Sequence, residues 1–144
     1  MPRRILLIAL LLFVGPIAMA ASSSPVGTWR TFDDQDGKES GAVIITNRGG
    51  MLFGNIARIN DPAKVNALCA LCTGDRKNEP VLGMEVIRGM KPDGDGWDGG
   101  TIVDPKTGKV YKLKMHLEDG GQKLVVRGFI GISLFGRSQT WLRS

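Results

Sequence analysis

Cys69 and Cys72 are the only cysteines of the 144-residue chain, and they are spaced Cys-x-x-Cys. That spacing serves three chemistries: a zinc knuckle, a dithiol redox centre or a short-range disulfide. Structural zinc wants four ligands, and beyond the two thiols the chain offers one histidine, His116. A catalytic dithiol wants a lowered thiol pKa, commonly from a helix N-terminus in a βαβ frame, and no such frame is legible around these residues. A four-residue turn brings its end Cα atoms within about 7 Å, and a disulfide needs roughly 4.4–6.8 Å. A structural disulfide is therefore expected, with a redox-active pair retained as the alternative.

The other chemistry-bearing residues form no catalytic set. Asp93-Gly94-Asp95-Gly96-Trp97-Asp98 has spaced carboxylates, but a calcium-binding EF-hand loop needs an oxygen ligand at its fifth position and glycine at its sixth. Those positions hold Trp97 and Asp98, so a hairpin turn is expected. Nucleophilic catalysis wants a nucleophile, a base and an orienting group. His116 falls on the charged side of its strand and no Gly-x-Ser-x-Gly elbow occurs; the expectation is no enzyme, no metal and no cofactor. Asp75 and Arg76 directly follow the cysteine turn. They would form either a charged lip over a pocket or an ion pair within the loop. Arg127 and Gln139 lie in the last two strands, as ligand contacts or as satisfied polar groups of the core. Tyr111, on the apolar face of its strand, completes the candidate ligand contacts.

The segments that must position these residues read as follows. Met1-Pro2-Arg3-Arg4, the apolar run 5–14, Gly15-Pro16 and Ala18-Met19-Ala20 have the order of an export signal, with cleavage expected after Ala20. Ten apolar residues span about 15 Å as a helix, half a bilayer core, so no stable membrane anchor is expected after cleavage. The domain reading is 1–20 signal peptide and 21–144 a single β-barrel domain, periplasmic or secreted. Loss of Arg3 and Arg4 takes the formal net charge from +5 to +3. The remaining basic residues are scattered without interleaved aromatics, which excludes a nucleic-acid footprint.

Residues 21–144 read as about eight strands: 27–32, 42–47, 51–59, 81–90, 97–103, 109–117, 123–130 and 137–143. Glycine is abundant, 20 of 144, and clusters where turns are needed. The strand with the cleanest pattern is 109–117. Tyr111, Leu113, Met115 and Leu117 alternate there with Val110, Lys112, Lys114 and His116, the period-two signature of a half-buried antiparallel strand. Residues 60–80 show no strand pattern, and Pro62 lacks the donor a ladder needs; a loop this long is commonly functional. The fold expected is all-β, an antiparallel up-and-down barrel of about eight strands, with a two-sheet sandwich as the alternative.

Several blocks resemble a known family. Val126-Arg127-Gly128-Phe129-Ile130-Gly131-Ile132-Ser133-Leu134-Phe135-Gly136-Arg137-Ser138-Gln139-Thr140-Trp141-Leu142-Arg143 resembles the closing signature of the bacterial "domain of unknown function 2147" family. Pro25-Val26-Gly27-Thr28-Trp29 resembles its opening, and Cys69-x-x-Cys72-x-Gly74-Asp75-Arg76 with Gly83-Met84 resembles its middle. Trp97-x-x-Gly100-x-Ile102-x-Asp104-Pro105-x-x-Gly108-x-x-Tyr111 resembles the block between. The resemblance implies a small exported protein and brings no catalytic residues. More loosely, Gly27-Thr28-Trp29 with Arg143 in the final strand is similar to lipocalin-like (calycin) barrels. That likeness implies that Trp29 closes one barrel end under the Arg143 guanidinium, a cation–π contact worth about 0.5–2 kcal/mol.

The function expected is a periplasmic lipocalin-like protein that binds a small apolar or amphipathic ligand in a pocket above about 300 Å³ near residues 60–80. The first alternative is a non-enzymatic interaction module of the cell envelope with a protein partner. It would use the apolar stretch 131–136, and exposure of Leu134 and Phe135 would favour it. The second is a thiol redox helper acting through Cys69 and Cys72.

Overall fold

The computed structural model describes residues 11–16 and 23–144. The expected signal segment lies mostly outside the described residues. Among them no helix is long and apolar enough to cross a membrane.

Eight strands follow one another: β1 Gly27–Phe32, β2 Glu39–Arg48, β3 Met51–Ile59, β4 Glu85–Asp93, β5 Gly96–Val103, β6 Val110–Glu118, β7 Lys123–Phe129 and β8 Gly136–Arg143. Each pairs antiparallel with the next, and β8 pairs with β1 to close the barrel. An up-and-down barrel, not a sandwich, is therefore the architecture, and closure removes both sheet edges. Tight turns make this order affordable. Arg48 pairs with Met51 across Gly49 and Gly50, whose φ values of 61° and 84° suit the two positive-φ positions of a type I′ hairpin.

Alternation decides which side chains enter the barrel. Leu113 and Met115 of β6 are buried while Lys112, Lys114 and His116 are exposed. Trp29, Ile45, Ile87, Met90, Leu113 and Leu124 are fully buried, and Trp141, Val126 and Leu52 join them in one continuous core. Packing at mid-barrel is tight. A methyl group on Gly54 would lie 3.1 Å from Ile87 and 3.2 Å from Val43, and one on Gly100 would meet the Met90 sulfur. Glycines are thus matched to large side chains on the adjoining strands, and the fully buried core residues fill the barrel at this level.

Three strand boundaries depart from the sequence expectation by three residues or more. β2 starts at Glu39, not Ala42. β4 starts at Glu85, not Val81. Val81, Gly83 and Met84 instead make turn bonds, with Gly83 N–H donating to Ile56 O (2.8 Å) and Ile56 N–H to Met84 O (2.9 Å). Gly83, at φ 88°, supplies the bend. At its other end β4 runs through Pro92 to Asp93, and the turn shrinks to Gly94-Asp95. Pro92 is tolerated next to a hairpin turn, where ladder bonds run out.

The barrel ends differ. At one end Trp29 donates from its indole to Pro25 O (2.8 Å), and the Arg143 guanidinium lies 4.3 Å from the Trp29 ring centroid. Arg143 also donates to Gly121 O (2.8 Å), Val26 O (3.1 Å) and Ser24 O (2.7 Å), tying the first and last strands to the β6–β7 turn. The opposite end carries the β1–β2 turn, the long β3–β4 loop, the β5–β6 turn and the β7–β8 link.

Candidate functional site

The β3–β4 loop is ordered by its own backbone around the cysteines. Cys69 and Cys72 are disulfide-bonded, with Cα atoms 5.3 Å apart. Cys69 N–H donates to Glu79 O and Asn78 N–H to Cys69 O, both at 2.8 Å, and Val81 N–H donates to Ala67 O at 3.0 Å. These bonds fold the loop into a miniature hairpin, pinned at the tip by the disulfide. Both cysteines are buried and belong to the barrel core cluster, so the sulfurs face packed side chains rather than solvent. Thiol exchange needs access to sulfur, and the redox alternative gains no support from this burial. The β5–β6 turn completes the anchorage: Gly108 sits so close to the Leu71 carbonyl that no Cβ fits between them.

A single 3-10 turn, Gly74–Arg76, follows the disulfide. It aims Asp75 and Arg76 at β4. Arg88 of β4 grips Asp75 with two bonds, 3.1 and 2.6 Å, and bonds Glu85 at 2.7 Å. Arg48 of β2 takes the other Glu85 oxygen at 2.7 Å. The Arg88 hydrogen bonds hold the Asp75 carboxyl below its ordinary range and push the Arg88 guanidinium up. Bidentate guanidinium–carboxylate pairing adds geometric specificity to charge, so this pair fixes the loop on the barrel wall. Arg76 is different. It is only 8% exposed, and its one bond runs from Nε to the Glu85 carbonyl, 2.9 Å. Its Nη2 is buried with no partner. Burial, followed by repulsion from Arg88, lowers its pKa.

Between the loop and β4 lies a solvent-open cleft of about 340 Å³. Asp75, Arg76, Glu79, Glu85 and Arg88 supply its charged lining, and Pro80, Leu82 and Met84 its apolar wall. It falls where the sequence placed a pocket, but it is cut into the outer side of the loop–β4 junction and not into the barrel interior, which side chains fill. A second open concavity, about 620 Å³, runs along the outer wall of β5 and β6 under the β7–β8 link. Lys112, Lys114, Phe129 and Ile132 line it.

Of the candidate ligand contacts, the cleft gathers Asp75 and Arg76 and leaves out the other three. Tyr111 sits half-buried at the loop end of β6. Arg127 lies opposite Lys114 and Ser138; it clamps the β7–β8 link through Ser133 O (2.7 Å) and Leu134 O (3.3 Å) and also bonds the Ser138 hydroxyl (3.0 Å). Gln139 accepts from the Trp141 indole (3.1 Å) and donates to Asp34 (2.9 Å). Glu85 and Arg88 were not singled out in the sequence. The signal that could have found them is an acid and a base three apart inside an otherwise apolar strand, Glu85-Val86-Ile87-Arg88.

The closed eight-stranded antiparallel barrel places the chain among lipocalin-like folds. A solved structure described as "Protein HP1028 from the human pathogen Helicobacter pylori belongs to the lipocalin family" matches with a TM-score of 0.73 at 18% identity. The match covers 84% of this chain and 83% of that one. The model of the family described as "Uncharacterized protein conserved in bacteria (DUF2147)" matches residues 27–143, and the chain belongs to that family. No curated protein matches it.

Proposed function

We propose that this protein is an exported, lipocalin-like binder of a small amphipathic molecule, with its recognition site in the cleft beneath the disulfide loop. The observation that carries the reading is the construction of that cleft. A disulfide-pinned loop is tied to β4 by the Asp75–Arg88 pair, and between them lies a volume of about 340 Å³ lined by both charged and apolar groups. That volume lies at the lower end of small-molecule sites and its lining is more charged than most, whereas the filled mid-barrel leaves no room for a ligand. Export follows from the signal-like residues 1–20 and suits the disulfide, which persists in oxidising compartments. The experiment is mass spectrometry of small molecules retained by mature protein purified from its native envelope fraction, beside a Leu82→Trp variant that narrows the cleft. Recovery of the same compound from the wild type and its loss from the variant support the reading. Equal recovery from both refutes the location, and repeated recovery of nothing refutes the binding function.

A second reading, an interaction module of the cell envelope, draws on one observation. Leu134 and Phe135 are 75% and 74% exposed, on a link that Arg127 holds in place. Exposed apolar groups on a fixed bend fit a partner contact. If that reading holds, crosslinking from position 134 in intact cells captures the same envelope protein repeatedly, and a Leu134→Asp/Phe135→Asp variant loses it.

A further inference from the structure

We propose that the cleft holds its ligand by a carboxylate, paired with the two terminal nitrogens of Arg76, while the ligand's apolar body lies along Pro80, Leu82 and Met84. The inference rests on the small-ligand reading above and assigns the chemistry of the head group.

Three guanidinium groups meet at this junction, from Arg48, Arg76 and Arg88. Two carboxylates answer them. Asp75 is taken by Arg88, and Glu85 is divided between Arg48 and Arg88. Arg76 receives only a neutral carbonyl, at Nε. Asp75 and Glu85 attract the Arg76 charge but make no ion pair with it, and its Nη2 is buried without any acceptor. A buried donor left without an acceptor is costly, and a protein that retains one at a cleft has a site poised for an acceptor. A guanidinium presents parallel donors that match a carboxylate's two oxygens. Nε is already spent on Glu85 O, which leaves the Nη1/Nη2 edge for the ligand. Nη2 is shut off from solvent, so the Arg76 side chain must shift toward the cleft it lines when the carboxylate arrives. Three carboxylates, Asp75, Glu79 and Glu85, line the cleft beside two guanidiniums; Asp75 and Glu85 are already paired with arginines, which leaves Glu79 as the acid an anion must face. Its side chain is exposed, where water and salt screen its repulsion. The apolar wall fixes the rest of the chemistry. Leu82 is partly exposed while Met84 is buried, which gives a short hydrocarbon body a surface to cover.

The test is calorimetric titration of the mature protein with three probes of equal chain length: octanoate, octanol and octylammonium. Octanoate is expected to bind about 10- to 100-fold more tightly than octanol, the range a charge-assisted hydrogen-bonded pair supplies. Arg76→Gln is expected to erase that preference while leaving octanol binding in place. Arg76→Lys keeps only part of it, because an ammonium lacks the fork. Equal binding of octanoate and octanol by the wild type overturns the head-group assignment and leaves the small-ligand reading standing. Tightest binding by octylammonium overturns it too, and shifts the head group to the acids. A folded Arg76→Gln protein that keeps its octanoate preference removes Arg76 from the site. Failure of all three probes at millimolar concentration overturns both the assignment and the reading on which it rests. Should Arg76→Gln fail to fold, the wild-type ranking of the three probes decides alone.

Discussion

Replacing Gly108 by alanine separates the anchorage of the disulfide loop from ordinary turn strain. Gly108 has φ +74°, and a Cβ there would collide with the Leu71 carbonyl in the loop. Gly37 has nearly the same backbone, φ +69°, with nothing within 4 Å of a Cβ. Both substitutions carry the cost of left-handed backbone for an L residue, about 1–2 kcal/mol. Gly108→Ala alone must also push two backbone segments apart, and overpacking of that kind costs about 1–3 kcal/mol more. Gly37→Ala is therefore expected to destabilise by about 1–2 kcal/mol and Gly108→Ala by roughly 2–5 kcal/mol. Urea unfolding of the two variants beside the wild type measures the difference. Amide exchange locates it: the amides of Cys69 and Asn78, which hydrogen-bond within the loop, should lose protection in Gly108→Ala and keep it in Gly37→Ala. Equal destabilisation, or unchanged protection at Cys69 and Asn78, would refute the claim that the β5–β6 turn braces the loop.

Replacing both cysteines by alanine should cost about 2 kcal/mol, the chain-entropy value for so short a loop, and the exchange rates of residues 67–81 should rise before those of the strands. Asp75 is held below its ordinary pKa of 3.8 chiefly by the Arg88 hydrogen bonds. Because its folded pKa is depressed, the contribution of the pair is present above that ordinary value and lost as pH falls below it; carboxyl NMR should give a midpoint under 3.8, and Arg88→Ala should raise it. Arg143→Ala removes the contact with Trp29 and three backbone hydrogen bonds and should destabilise by roughly 2–4 kcal/mol in urea unfolding; Arg143→Lys should recover less than half. Gly54→Ala should cost about 1–3 kcal/mol by overpacking against Ile87 and Val43 of the adjoining strands, and an unchanged urea midpoint would contradict the tight packing there.

The strands were legible because their signal is local. The alternation of Tyr111 to Leu117 with lysines and His116 fixes both the strand and its inner face, and the Gly49-Gly50 turn fixes the register of β2 on β3. The start of β4 was not legible. Val81 has strand composition, but Gly83 and the bonds to Ile56 turn the chain before Glu85. The filling of the barrel was hidden for a different reason. A glycine in a strand reads as a bend, and only the pairing of β3 with β2 and β4 reveals that Gly54 lies against Val43 and Ile87. The cleft was half legible. Asp75 and Arg76 stood out beside the cysteines, but the Asp75–Arg88 and Arg48–Glu85 pairs join segments 13 and 37 residues apart. Arg127 and Gln139 looked alike as polar groups in paired strands. Register separates them, since Gln139 pairs with buried Val126 while Arg127 pairs with Ser138 and Lys114.

The most direct measurement of the central claim is a backbone NMR titration of the mature protein with octanoate. If the cleft is the recognition site, the largest shifts fall on residues 74–76, 79–85 and 88, and the inward-facing Leu113, Met115 and Val126 stay unmoved. Shifts centred on those inward residues would place the ligand inside the barrel and contradict the account, as would the absence of any saturable shift.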